Sequence, residues 1–183
     1  MPEMPILEMN KCFNIENRRY LGSKARLISF IHKVVNDNCH EIHSVMDLFA
    51  GTGNVGWSFN SKDISIIVND LLHSNYESYL AWFGSQKIRK DYLDALIEQF
   101  NQLSTLDENY FSKNFSNTYF SEFNCKKIGY IRGDIEKKYS GGSLNDREKA
   151  YLITSLLYAM DHIANTVGHY DAYRMNGNLD KKL

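Results

Sequence analysis

A chain of 183 residues with 43% apolar, 13% aromatic and 23% charged residues can bury one sizeable core, and its formal net charge of −1 excludes a bulk positive field for nucleic acid while leaving room for a local basic face. Three widely spaced cysteines, Cys12, Cys39 and Cys125, have no CxxC spacing and read as reduced thiols in a cytoplasmic protein. No apolar run reaches membrane-spanning length, and the N-terminus has no basic region followed by an apolar core, so neither a membrane partner nor a secretory signal is expected.

Residues 1–17 are polar and unpatterned. Arg18-Arg-Tyr-Leu-Gly-Ser-Lys24 forms a glycine-containing loop that opens a helix striped by Leu27, Ile28, Ile31, Val34 and Val35. A strand is expected at 44–49, a short helix at 54–60 and a second strand at 64–68. A helix then runs to about Phe83 with Leu72, Tyr76, Tyr79, Leu80 and Phe83 inward, and another spans 89–103 with Leu93, Leu96, Ile97 and Phe100 inward. The stretch 104–121 is irregular or briefly helical. Ile128, Ile131 and Ile135 support a helix weakened by Gly129 and Gly133. Gly141-Gly142 breaks the chain, Asn145 with Glu148 caps a new helix, and 146–164 is the most apolar helix of all. The tail 165–183 is polar.

The stretch 44–56 organises the rest. Its spacing is Asp47-x-Phe49-x-Gly51-x-Gly53-x-x-Gly56, an apolar strand turning through glycines into a helix. A second strand ends at Asn69-Asp70, placing an acid where the ribose of a nucleoside ligand is held in such folds. Three readings fit: a tight turn with no ligand, a dinucleotide fingerprint, or a site for S-adenosylmethionine. Asp47 favours the last, because a carboxylate suits a cationic amino group and opposes a pyrophosphate at the helix N-terminus.

These segments, taken in order, resemble the N-terminal half of the Dam-type adenine-specific DNA methyltransferases. Arg19-Tyr-Leu-Gly-Ser-Lys24 matches that family's first loop, with Ser23 in place of a common glycine; Asp47-Leu-Phe-Ala-Gly-Thr-Gly53 matches its second, and Asp70 its ribose-binding acid. Ala164-Asn-Thr-Val-Gly-His-Tyr-Asp-Ala-Tyr-Arg174 resembles the segment that family carries before its catalytic loop. The resemblance implies an α/β fold, partial and Rossmann-like, with the first strands of a doubly wound sheet and a large helical portion. It implies an S-adenosylmethionine-binding portion at 1–103 and a mainly helical portion at 104–183 that leads toward target recognition. The cofactor would be held by Tyr20, Gly22, Lys24, Asp47, Phe49, Ala50, Gly51, Thr52, Gly53, Asn54, Asp70 and Leu71. Double-stranded DNA would be the partner, touched by Arg18, Tyr170 and Arg174.

One departure matters. The family's catalytic loop, Asp-Pro-Pro-Tyr or a close variant, holds the adenine amino group and stacks on the flipped base. The only prolines here are Pro2 and Pro5, so no such loop exists in these residues and none of them is assigned a catalytic role. Only two strands are convincing, where a doubly wound domain has five or more. The expectation is therefore a chain that stops or is split before the catalytic loop, with a C-terminal half or second subunit supplying it. A non-catalytic half that binds only cofactor or a partner stays open, as does an NAD-binding oxidoreductase domain. No metal site is expected: His40-Glu-Ile-His43 reads as a solvated loop, and Asp161-His162 as a hydrogen-bonded boundary pair. The aromatics of 110–123 read as core.

Overall fold

The computed structural model describes Ile15 and residues 22–167, 170–177, 179 and 181–183. Among these, Gly22–Leu71 makes one compact unit and Leu72–Leu183 a second.

The first unit is mixed α/β. A 3-10 turn at Lys24–Leu27 runs into α1 (Ile28–Asn38), followed by β1 (Ser44–Asp47), α2 (Asn54–Ser58) and β2 (Ser65–Val68). β1 and β2 pair in parallel, with Ser44 opposite Ser65 and Asp47 opposite Val68. β1 is shorter than expected. Beyond Asp47 the backbone leaves the ladder for the glycine turn, so Leu48 and Phe49 are turn residues. Residues alternate along both strands: Val45, Asp47, Ile66 and Val68 are half-buried, while Met46 and Ile67 are exposed. The stripe of α1 is only partly covered, since no residue of that helix is fully buried and Val34 is exposed.

The second unit is helical: α3 (His73–Phe83), α4 (Lys90–Asn101), α5 (Tyr110–Phe115), α6 (Glu122–Ser140) and α7 (Asp146–Ile163). α3 packs along α7, and α6 packs against both α5 and α7. Leu93, Leu96 and Phe100 of α4 share one core with Ile128, Ile131 and Ile135 of α6 and Leu152, Ile153 and Leu156 of α7. Packing divides the described chain at Leu71–Leu72: α4 buries its apolar face in the helical core, and α3 packs along α7. The stretch 104–121 holds the short helix α5. The aromatics of 110–123 divide: Phe120 is core and Phe111 packs against it, while Tyr110, Phe115 and Phe123 are exposed.

The inward face of α3 differs from the hydropathic expectation. Leu72 and Tyr76 are exposed, and Asn75, Glu77 and Ser78 are buried with Tyr79 and Ala81. The reason lies on α7, whose facing surface is itself polar. Thr154 Oγ1 donates to Ser78 Oγ at 3.4 Å, and Lys149 Nζ lies 3.9 Å from Glu77.

The two glycines of α6 have different reasons to be there. An added Cβ at Gly129 would stand 2.1 Å from Asn109 Oδ1, whereas at Gly133 it would meet nothing within 4 Å. Asn109 caps α5 through Ser112 N at 3.1 Å and donates to Lys126 O at 2.8 Å. Gly133→Ala should therefore stabilise the protein by about 1 kcal/mol from helix propensity alone. Gly129→Ala should lose that gain, and roughly 1 kcal/mol more, by displacing a helix cap and a backbone hydrogen bond. Urea denaturation of the two variants checks the opposite signs.

Candidate functional site

The site is built where β1 crosses into α2. The tip of β2 is laced to this crossing by hydrogen bonds. Asn69 N donates to Asp47 O (2.9 Å), Ala50 N to Asn69 O (2.9 Å), Asn69 Nδ2 to Leu48 O (2.9 Å), and Gly51 N to Asp70 Oδ2 (2.9 Å). Gly51 and Gly53 hold φ of 55° and 75°, the left-handed region that a side chain would oppose. Gly53 N donates to Ala50 O at 2.8 Å, closing the turn, and Gly53 is the N-cap of α2. Thr52 and Asn54 are buried and bond each other, Asn54 Nδ2 donating to Thr52 Oγ1 at 2.7 Å.

α1 braces the turn from the side of α2. His32 stacks on Phe59 with ring centroids 4.1 Å apart and planes 5° apart, and its Nε2 lies 3.0 Å from Ser58 Oγ. The Ser58 hydroxyl donates to Val55 O at 2.7 Å, so the proton shared with His32 is on Nε2.

The electrostatic centre is Asp47. Its side chain is only 10% exposed. Oδ1 accepts from Phe49 N at 3.3 Å and lies 3.6 Å from Lys24 Nζ, whereas Oδ2 is buried and has no hydrogen-bond partner. Lys24 Nζ donates to Phe49 O. A buried carboxylate oxygen without a donor is costly and calls for a physical reason. Phe49 and Leu71 stand at 82% and 98% exposure beside the turn, apolar surfaces with nothing over them to hide them from water.

The structure thus brings Lys24, Asp47, Phe49, Ala50, Gly51, Thr52, Gly53, Asn54 and Asp70 together in the first unit, with Leu71 at its end. Gly22 is exposed at φ 83°, two residues before Lys24. Tyr20 and Arg18 lie outside the described residues, as does His169. Tyr170 and Arg174 are exposed residues of the second unit. Tyr170 is held at both ends: its carbonyl accepts from Tyr119 Oη at 2.7 Å, and its own Oη donates to Asp161 Oδ1 at 3.1 Å. Asp161 is buried and takes this tyrosine, while His162 is exposed. Asn165 shapes the following loop, Nδ2 donating to Thr118 O at 3.0 Å and to Arg174 O at 2.8 Å. Among the described residues no group of three or more His, Cys, Asp or Glu could hold a metal ion.

Two supporting residues escaped the sequence reading. Asn69, in sequence merely the neighbour of Asp70, ties the strand tip to Leu48 through its side chain. His32 sits at helical spacing from Ile28 and Val35, and that spacing was the available signal.

A parallel strand pair, a glycine turn between two acids and a lysine on the first acid meet at one end of the first unit. The chain belongs to the D12 class N6 adenine-specific DNA methyltransferases, whose family pattern matches residues 20–183. This bears out the resemblance drawn from the loops. Among similar proteins, a modification methylase, LlaI, of Lactococcus lactis subsp. lactis is 32% identical over 85% of this chain and 27% of its own length. The type II methyltransferase M.FokI of Planomicrobium okeanokoites is 31% identical over 85% of the chain and 26% of its own length. The type II methyltransferase M.NlaIII of Neisseria lactamica is 30% identical over 86% of the chain and 49% of its own length. The chain therefore spans between a quarter and a half of the length of these relatives. No solved structure matches. No helix of the described residues is long and apolar enough to cross a membrane.

Proposed function

We propose that this chain is the S-adenosylmethionine-binding part of a site-specific DNA methyltransferase that methylates the exocyclic amino group of adenine. The observation that carries the reading is Asp47, a nearly buried carboxylate with one oxygen unpartnered at the mouth of a glycine turn. The residues fit the cofactor. Asp47 offers an acceptor to the ammonium of its methionine end, Asp70 stands at the tip of β2 for the ribose hydroxyls, and Phe49 and Leu71 present apolar surface to the adenine and the chain. S-adenosylmethionine supplies an electrophilic methyl group when bound. The protein's part is to hold that group in place and keep water from it.

An NAD site is disfavoured by the same geometry. The Gly51 amide that would face a pyrophosphate is bonded to Asp70 Oδ2 at 2.9 Å, so an anion there would meet carboxylates on both sides. The relatives named modification methylases and type II methyltransferases support a place in DNA modification beside a restriction enzyme. Double-stranded DNA is the proposed macromolecular partner, with Arg18, Tyr170 and Arg174 as contacts. No Asp-Pro-Pro-Tyr-like run occurs in these residues, so the group that engages the flipped adenine is proposed to come from elsewhere, a C-terminal half or a second subunit. A Rossmann-like sheet, with 1–103 as the cofactor-binding portion, and a cytoplasmic setting belong to the same proposal.

Titration calorimetry tests it. S-adenosylmethionine should bind the chain, with an expected Kd in the roughly micromolar range, about −8 kcal/mol, and NAD should give no heat. Binding of NAD with none of S-adenosylmethionine would overturn the proposal.

A further inference from the structure

Residues of α3, α5, α6 and α7 surround a cavity of about 550 Å³ within the second unit. Its floor is apolar, made by Phe111, Ile128, Ile153, Leu156, Leu157 and Met160. One wall is α6, where Gly129 and Gly133 stand one turn apart and leave bare backbone in place of side chains. An added Cβ at Gly133 would meet nothing within 4 Å, so open space begins at the helix backbone itself. Glycine is a poor helix former, and α6 bears that cost where the cavity is.

The charged groups beside the cavity are balanced but loosely joined. Arg132 Nη1 donates to Glu136 Oε2 at 2.8 Å. Lys149, with a side chain 17% exposed, lies 3.5 Å from Glu136 and 3.9 Å from Glu77, over the Tyr139 ring at 4.4 Å. Glu77 lines the cavity with a side chain only 10% exposed. Its two charged neighbours, Lys149 Nζ at 3.9 Å and His73 Nδ1 at 3.8 Å, both stand beyond hydrogen-bond distance. Glu77 is thus held by charge and not by a hydrogen bond to either, and a nearly buried carboxylate in that state has acceptor capacity to offer. Glu77 and Glu136 already match Lys149 and Arg132, so a ligand ion would leave one charge uncompensated where water is scarce. A neutral group that carries a donor for Glu77 beside an acceptor for Lys149 meets both without that cost. An amide has the two on one edge. We propose that this cavity is a binding site for a neutral aromatic amide. The ring sits on the apolar floor against the bare wall of α6, the amide N–H donates to Glu77, and the carbonyl accepts from Lys149. All of these residues belong to the second unit, so the outcome of the test leaves the cofactor reading untouched.

Titration calorimetry with three probes of one shape tests the site: naphthalene-2-carboxamide, naphthalene-2-carboxylate and 2-naphthylmethylammonium. The unaltered chain should bind the carboxamide with a Kd of about 100 µM, at least about tenfold more tightly than either ion. Gly133→Leu puts a side chain into the cavity and should weaken the carboxamide at least about tenfold, while Gly133→Ala should keep its affinity within about threefold. Glu77→Gln reads the charge balance without filling the space. Lys149 then lacks one carboxylate, so the carboxylate probe should gain and the lead of the carboxamide over it should fall to about threefold or less. Absence of carboxamide binding, or binding of either ion within about threefold of it, overturns the inference. So does unchanged affinity in a Gly133→Leu protein shown by circular dichroism to be folded, or an unchanged preference in Glu77→Gln. Should Gly133→Leu not fold, the preference in Glu77→Gln decides.

Discussion

Replacing Arg89 with Met should destabilise the helical unit by about 3 kcal/mol at pH 7, and most of that deficit should vanish in acid. Glu148 lies at the start of α7 with no exposed surface. Arg89 meets it twice through its guanidinium, Nε to Oε1 at 2.8 Å and Nη2 to Oε2 at 2.6 Å, and once through its own backbone N at 2.9 Å. Asn145 N adds a further donor to Oε2 at 3.1 Å, closing a capping box with Glu148 N on Asn145 Oδ1 at 2.9 Å. The guanidinium is the largest influence holding the Glu148 carboxyl down to about 2 from an ordinary 4.5. A depressed carboxylate pKa contributes stability above the unfolded value, and that contribution is lost as pH falls from about 4.5 through about 2. A shift of that size corresponds to about 3 kcal/mol at neutral pH and about 1 kcal/mol at pH 3. Chemical denaturation at pH 7 and pH 3 should therefore show a wide gap between Arg89→Met and the unaltered chain that narrows in acid. Lys90→Met is the control. Its pair with Asp94 is equally short at 2.6 Å but exposed, so its loss should leave stability nearly unchanged at either pH. A gap for Arg89→Met that is small or independent of pH would refute this account of the clasp.

That clasp shows what was and was not legible in the sequence. Asn145 and Glu148 announce a helix start by their spacing alone, and α7 begins there. The partner of Glu148 is an arginine 59 residues earlier, and no local pattern points to it. The same division runs through the site. Glycines at fixed spacing, an acid at each strand tip and short apolar runs are local signals, and β1, β2 and the turn between them follow from them. The pairing of Lys24 with Asp47 depends on the 3-10 turn reaching the tip of β1, and the reach of Asn69 to Leu48 on two strand ends meeting in space. The burial of α3 failed for a related reason. Hydropathy assigned Leu72 and Tyr76 inward, but the surface that α3 meets carries Thr154 and Lys149, and a polar face with matching polar partners can be buried as well as an apolar one. The stripe of α1 was read correctly as helical. Its partial exposure was not legible, because periodicity reports which residues share a face and not whether anything covers that face.

Asp47→Asn should weaken S-adenosylmethionine binding at least about 100-fold, close to 3 kcal/mol, while changing the stability of the ligand-free chain by less than about 1 kcal/mol. The asymmetry comes from the state of the carboxylate. In the free protein Asp47 accepts one long bond from Phe49 N at 3.3 Å and a distant ion pair, and its other oxygen has no partner. Asn keeps an acceptor for Phe49 N and removes a buried charge that is poorly compensated, so the lost attraction to Lys24 is offset by a smaller desolvation cost. With ligand present the balance reverses. An amide cannot neutralise an ammonium, and the charge-assisted bond expected at this position is among the strong ones. Asp70→Asn is the informative contrast. The amide oxygen can still accept from Gly51 N, now at 2.9 Å from Asp70 Oδ2, so the turn should survive and affinity should fall less, by about tenfold, through weaker acceptance from the ribose hydroxyls. Calorimetry for affinity and thermal unfolding for stability separate the two effects. Retention of cofactor affinity within about threefold in Asp47→Asn would remove Asp47 from the ligand's methionine end, and with it the physical reason for a half-satisfied acid at the mouth of the turn.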